Sequence, residues 1–117
     1  MNINKEDTMN IKTTDFKRCT VIKTSGRIDG SNAQELAQAL KAVIEKGMFN
    51  IVFDMSEVNF MASAGWWVLV DTQKTCKPRG ELVLAMVDQG IKDSLNLVGM
   101  GSYFNTFDDI ISAVGSF

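Results

Sequence analysis

The sequence predicts an α/β fold with a mixed, mostly parallel sheet of four to five strands and about four helices, in the order ββαβαβαβα. Stretches in which apolar residues recur at helical spacing alternate along the chain with short apolar runs. Two of these runs, residues 51–53 and 82–87, do not alternate between apolar and polar residues, which indicates strands covered on both faces. The chain has 117 residues, of which 45% are hydrophobic, so one domain with one core is expected.

The N-terminal part is predicted to contribute two strands. Residues 1–8 carry few apolar side chains, so we expect them to be flexible and the folded domain to span residues 9–117. Residues 9–14 and 19–24 have the composition of strands, and the polar residues between them fit a turn.

Ser31 is predicted to open the first helix. Ser31 and Gln34 have the spacing of a capping box, in which the serine hydroxyl accepts from the Gln34 amide and the Gln34 side chain reaches back. Gly47 stands where helices commonly end on a left-handed residue. The apolar side chains between these ends recur on one face: Ala33, Leu36, Ala37, Leu40, Val43 and Ile44.

The second half of the chain is predicted to supply three more helices and an edge strand. A helix over residues 63–77 would end before Pro78, because proline disfavours helical backbone in the residue that precedes it. Asp88 is the predicted N-cap of a third helix, and residues 104–107 are predicted to form an edge strand before a terminal helix. The buried side chains of the third helix are predicted to be Ile91, Leu95 and Val98.

Composition excludes several chemistries. Histidine is absent, which rules out histidine nucleophile activation, histidine acid–base catalysis and imidazole metal sites. Cys19 and Cys76 form no CxxC pair, so no zinc or thioredoxin-like motif is present, and two buried thiols are favoured over a disulfide. We therefore expect no metal and no cofactor.

The charge pattern argues against nucleic-acid and membrane partners. The net charge is −2, and no basic block is longer than Lys17 and Arg18, so the basic footprint of a nucleic-acid-binding protein is lacking. Residues 1–12 are too polar for a signal peptide, and no apolar run is long enough to span a bilayer. A cytoplasmic protein without direct membrane insertion is expected.

Catalytic motifs are not found. The sequence contains no P-loop and no GxGxxG. Gly26 and Gly30 precede the first helix and would in principle help to hold a phosphate, but a turn into the helix is the favoured interpretation. Asp29 and Asp54 are expected near strand ends, where open α/β sheets bind ligands, so a small-ligand sensor is one alternative function. No enzyme is expected.

Ser63 is predicted to lie at the head of the second helix, after a loop that leaves a strand. Its hydroxyl could cap a helix amide, which is worth about 1 kcal/mol. Alternatively it could accept a phosphate, which would gain from the helix amides and the helix dipole. At helical spacing Trp67 falls on the polar side with Asp71 and Lys74, so we expect an exposed tryptophan one turn from Ser63 that can anchor a partner.

Several stretches resemble the STAS domains, and most closely the bacterial anti-sigma factor antagonists. They are SGRID at residues 25–29, IVFDMS at 51–56 running into FMASAG at 60–65, RGELVL at 79–84 and, more weakly, LNLVGM at 95–100. The resemblance covers nearly the whole chain from about residue 9. It implies a single STAS-like domain without enzymatic activity.

The resemblance also implies a mechanism of partner switching. The family's phosphoacceptor serine aligns with Ser63, its kinase is an anti-sigma factor of the histidine-kinase-like ATPase type, and a PP2C-type phosphatase reverses the reaction. The unphosphorylated antagonist binds the anti-sigma factor and the phosphorylated one releases it. The partner-contact residues are expected to be Asp29, Met61, Ala62, Ala64, Gly65, Trp66 and Trp67.

Two features leave other interpretations open. Ala62 stands where the family's common motif has Asp or Ser, which favours the alternative of a non-phosphorylated accessory or scaffold STAS module in a transport or signalling complex. Exposed apolar residues around Trp66 and Trp67 would also support a homodimer.

Overall fold

In the computed structural model, which describes residues 9–117, five strands alternate with four α-helices in the predicted order. The strands are β1 (Asn10–Asp15), β2 (Thr20–Ile28), β3 (Asn50–Met61), β4 (Glu81–Ala85) and β5 (Thr106–Phe107). The α-helices are α1 (Ala33–Glu45), α2 (Ser63–Cys76), α3 (Gln89–Leu97) and α4 (Ile110–Gly115), and a 3-10 turn, Gly101–Tyr103, precedes β5. The expected flexible segment, residues 1–8, lies outside the described residues.

The sheet has the spatial order β1-β2-β3-β4-β5, with β1 antiparallel to β2 and the other neighbours parallel. β3 is longer than the apolar run that predicts it. Its pairing with β4 ends where Asp54 faces Ala85, whereas its pairing with β2 continues until Met61 faces Ile28. The expectation of a loop before Ser63 is therefore wrong, because only one residue separates β3 from α2.

Two expectations about residues near the ends of β2 and β3 are also wrong. Gly26 lies inside β2 with φ +90° at an irregularity in the pairing with β3, so it bends a strand and does not form the turn into α1. Asp54 is buried within β3, where it faces Lys23 of β2 and accepts a hydrogen bond from the Ser56 amide at 2.9 Å. Asp54 thus does not join Asp29 at the strand ends, which removes the argument for a ligand sensor there.

Helices cover both faces of the sheet. On one face, side chains of α1, α2 and α3 pack with alternate strand residues; they include Leu36, Leu40, Leu69, Ile91, Leu95, Ile22, Phe53 and Leu84. On the other face, Ala113 of α4 packs with Val21, Val52 and Val83. Neighbouring residues such as Val52 and Phe53 thus enter different cores, which confirms that the apolar runs are strands covered on both sides.

The start of α1 differs from the predicted capping box. Asn32 is the N-cap residue and its side chain does not cap the helix. The Ser31 hydroxyl donates to a carboxylate oxygen of Asp29, and Oδ1 of Asn32 accepts from the Asp29 amide at 2.9 Å. The polar groups of this segment fold the β2–α1 loop on itself. The predicted left-handed Gly47 is confirmed, with φ +90°.

α3 begins as predicted. The Asp88 carboxylate accepts from the Gly90 amide at 3.0 Å and caps the helix. Ile91 and Leu95 are buried, but Val98 is the C-cap residue and is 36% exposed, so the predicted buried stripe is wrong at that position.

Gln73 ties α2 to the edge of the sheet. Its side chain is buried, and its amide nitrogen donates to the carbonyls of Leu82 and Tyr103, each at 2.8 Å. Its amide oxygen accepts from the Leu82 N–H at 2.7 Å. All of these buried polar groups are thereby satisfied.

Both cysteines are buried free thiols, as predicted. Burial raises the pKa of Cys19 and raises that of Cys76 to about 11. Among residues 9–117, no helix is long and apolar enough to cross a membrane.

Candidate functional site

The carboxyl ends of β2 and β3 bring Asp29 and Ser63 to the same edge of the sheet. Asp29 follows the last residue of β2, and Ala62 alone separates β3 from Ser63, the first residue of α2. The Ala62 amide donates to the Ile28 carbonyl at 2.8 Å, so the backbone segments of β2 and β3 stay hydrogen-bonded one residue beyond the end of β3. This edge is where parallel sheets usually carry their functional groups.

Asp29 is a fixed anion. One carboxylate oxygen accepts from the Ser31 hydroxyl and amide, and the other lies 3.4 Å from Nε of Arg27. The hydrogen bonds from Ser31 and the Arg27 guanidinium hold the pKa of Asp29 below its ordinary value. Asp29 therefore presents a negative charge in a defined position beside the β3–α2 junction.

Ser63 is exposed, and its hydroxyl forms no hydrogen bond with any of the residues 9–117. The N-cap of α2 is Ala62, which has extended backbone angles and no capping side chain, and the first turn contains no acidic residue. The interpretation of Ser63 as a helix cap is therefore wrong. The serine lies one residue inside a helix whose N-terminal amides lack a side-chain acceptor.

Gly65 lets α2 approach the strands closely. A methyl group at this buried position would lie 2.5 Å from Sδ of Met61 and 2.8 Å from Cγ2 of Ile28. Met61 and Gly65 are thus buried contacts beneath the surface that Ala62, Ser63 and the half-buried Ala64 form. Among the predicted partner contacts, these two position the site from below.

The two tryptophans have different environments. Trp66 is fully buried; its Nε1 lies 3.3 Å from the Ser94 hydroxyl, which lies 3.4 Å from the Met61 carbonyl. The expectation that Trp66 adds to an exposed apolar surface is wrong, because this ring joins α3 to the start of α2. Trp67 is 54% exposed, as predicted, and lies one turn from Ser63. We refer to Asp29, Ser63 and Trp67 as the Ser63 surface.

Sequence reasoning missed the contact between Arg27 and Phe60. These residues face each other across β2 and β3, and the guanidinium carbon lies 4.0 Å from the centre of the phenyl ring. The cation–π contact and the ion pair to Asp29 together fix Arg27 beside the end of β2. Each residue was visible in the sequence, but their pairing depends on the irregular register.

The family model of the STAS domain matches residues 10–113. The chain belongs to the STAS domain family. Known relatives of this STAS domain include BtrV of Bordetella bronchiseptica, whose name describes it as an anti-sigma factor antagonist. It is 27% identical over 93 residues, which are 79% of this chain and 80% of BtrV.

Solved structures show the same fold. An anti-sigma factor antagonist from Mycobacterium paratuberculosis superposes with a TM-score of 0.87 at 23% identity and covers 97% of both chains. The phosphorylated form of the Bacillus cell-fate determinant SpoIIAA superposes with a TM-score of 0.71 at 15% identity, over 92% of this STAS domain and 98% of SpoIIAA.

The site combines an exposed serine with a fixed carboxylate at the same edge of the sheet. The hydroxyl of Ser63 is accessible, and its carboxylate neighbour Asp29 is already held by Ser31 and Arg27. Within residues 9–117, no three Cys, Asp or Glu side chains are grouped so that they would hold a metal ion.

Proposed function

We propose that this STAS domain is an anti-sigma factor antagonist that binds an anti-sigma factor through the Ser63 surface and releases it when Ser63 is phosphorylated. The observation that carries the proposal is the exposed, unbonded hydroxyl of Ser63 at the uncapped start of α2. The names of BtrV and of the Mycobacterium structure support the class of partner, and the phosphorylated form of SpoIIAA supports control by a phosphate.

Electrostatics explain how one phosphate would switch binding. A phosphoserine carries about −1.5 to −2 charges at neutral pH. The helix amides of α2 would stabilise that charge in the free protein, whereas Asp29 already contributes one anion at the same edge. A partner that fits the neutral serine would have to bury the added charge, and a cost of about 3 kcal/mol weakens binding by roughly 100-fold.

The other components follow from this role. The antagonist itself would have no enzymatic activity and would act in the cytoplasm. The kinase would be the anti-sigma factor, a histidine-kinase-like ATPase, and a PP2C-type phosphatase would remove the phosphate. Because position 62 carries alanine and not an acidic or hydroxyl residue, the kinase would have to position Ser63 through other contacts. Trp67 would supply such a contact, since it is the most exposed aromatic side chain.

The test is phosphorylation by the cognate kinase with ATP, read by intact mass. The wild-type chain should gain one phosphate and Ser63→Ala should gain none. Ser102→Ala is the matched control, since Ser102 is also exposed but lies on the 3-10 turn; it should be modified like the wild type. The phosphorylated chain should then bind the kinase at least tenfold more weakly.

Equal phosphorylation of Ser63→Ala and the wild type would refute the site. A wild-type chain that binds the anti-sigma factor but never gains phosphate would refute the switch. Stable association with a transport complex and no affinity for an anti-sigma factor would select the scaffold alternative.

A further inference from the structure

A groove runs between α1 and α2 on the outer side of the helical layer. It has a volume of about 500 Å³. Its apolar floor consists of the half-buried side chains of Ala37, Ile44 and Val68, of which Ile44 and Val68 also pack against the core. Such a floor between two helices matches the shape that binds the apolar face of a third helix.

The rim of the groove carries one uncompensated negative charge. Lys41 and Glu45 on α1 form an ion pair with 4.0 Å between Nζ and Oε1. Asp71 on α2 is exposed and forms no ion pair within residues 9–117. Lys74, one turn further along, lines a different cavity. A complementary occupant would therefore place a lysine or arginine opposite Asp71.

The groove is continuous with the Ser63 surface. Asp71 lies one turn after Trp67 and two turns after Ser63 on the same face of α2, a distance of about 12 Å along the helix. A partner that covers Ser63 and Trp67 thus reaches the groove without crossing another element. An apolar floor inside a polar rim is also the usual construction of a protein interface.

We propose that the anti-sigma factor that docks on the Ser63 surface lays an amphipathic helix into the α1–α2 groove, with a basic side chain against Asp71. This inference rests on the proposed function and adds α1 to the interface. The apolar face of that helix contacts Ala37, Ile44 and Val68, and Trp67 packs at its end nearest Ser63.

Binding of the anti-sigma kinase in the presence of ADP, which prevents phosphate transfer, tests the proposal. Asp71→Lys should weaken the Kd at least tenfold. The matched control Asp108→Lys makes the same charge change at an exposed residue next to α4, which covers the other face of the sheet, and should stay within twofold of wild type. Hydrogen exchange of residues 37–45 in α1 should slow in the complex.

The outcomes separate the two proposals. If the wild-type chain binds no anti-sigma kinase, the proposed function fails and the groove assignment fails with it. If the wild type binds but Asp71→Lys and Asp108→Lys behave alike, or exchange in α1 is unchanged, only the groove assignment is overturned. If protection of α1 rises with the concentration of the chain alone, the occupant is a second copy and the proposal is wrong.

Discussion

Replacing Gly65 by alanine tests whether α2 packs against the strands beneath Ser63 as closely as the structure shows. The added methyl group would lie 2.8 Å from Cγ2 of Ile28, a buried β-branched side chain that cannot turn away easily, and 2.5 Å from Sδ of the more flexible Met61. Overpacking of this kind costs about 1–3 kcal/mol. Alanine also gains up to about 1 kcal/mol over glycine inside a helix, which reduces the net loss.

Gly115→Ala separates the two contributions. Gly115 is the last residue of α4, and a methyl group there would have no neighbour within 4 Å. Both variants gain helix propensity, so the difference between their free energies of unfolding isolates the overpacking and should be about 1–3 kcal/mol. Urea denaturation followed by circular dichroism measures both values. If Gly65→Ala is as stable as Gly115→Ala, the close packing described for this site is refuted.

Three further predictions follow from buried or charged groups. Thr24→Val should raise the free energy of unfolding, because the buried Thr24 hydroxyl has no hydrogen-bond partner among residues 9–117. Thr20→Val should lower the free energy of unfolding by about 1–3 kcal/mol, because the Thr20 hydroxyl donates to the Asp15 carboxylate at 2.9 Å. Equal effects in urea melts would contradict this. Because burial raises the pKa of Cys76 from 9.0 to about 11, the unfolded thiol ionises first and stability should fall as pH rises from 9 to 11; Cys76→Ala should reduce that slope. The pKa of Asp29 is lowered from 3.8 in the folded protein, so the ionised carboxylate stabilises the fold above that pH and this stabilisation is lost as pH falls through the folded pKa. Asp29→Asn should therefore reduce the loss of stability at acidic pH, measured as the free energy of unfolding against pH. An unchanged acidic part of that profile would refute the contribution of this carboxylate.

The order of elements could be predicted because each element has a local signal. Apolar runs at β3 and β4 mark strands between two helical layers, and the spacing of residues in α1 and α2 marks one buried face. The exposed position of Trp67 followed from the same helical geometry. Ser63 was predicted correctly to lie at the start of α2. The helix-cap role considered for it was wrong, because Ala62 is the N-cap residue.

The remaining features depend on pairings between distant parts of the chain. Ser56 and Glu57 interrupt the apolar pattern of β3, and the strand continues past them because β2 pairs with it through two shifts in register. The contact of Arg27 with Phe60 depends on that same register. The hydrogen bond from the indole of Trp66 to Ser94 joins two helices, so no local pattern could predict that contact.

The side chain of Gln73 also bears on solubility. β5 pairs with β4 only at Leu84 and Ala85, so the N–H and C=O of Leu82 would face an open edge on that side. An open strand edge is a template on which another chain can add a strand and start aggregation. The Gln73 side-chain amide hydrogen-bonds both backbone groups of Leu82, at a position that the two-residue β5 is too short to pair. This side chain therefore blocks the addition of a foreign strand at Leu82 although β5 is short.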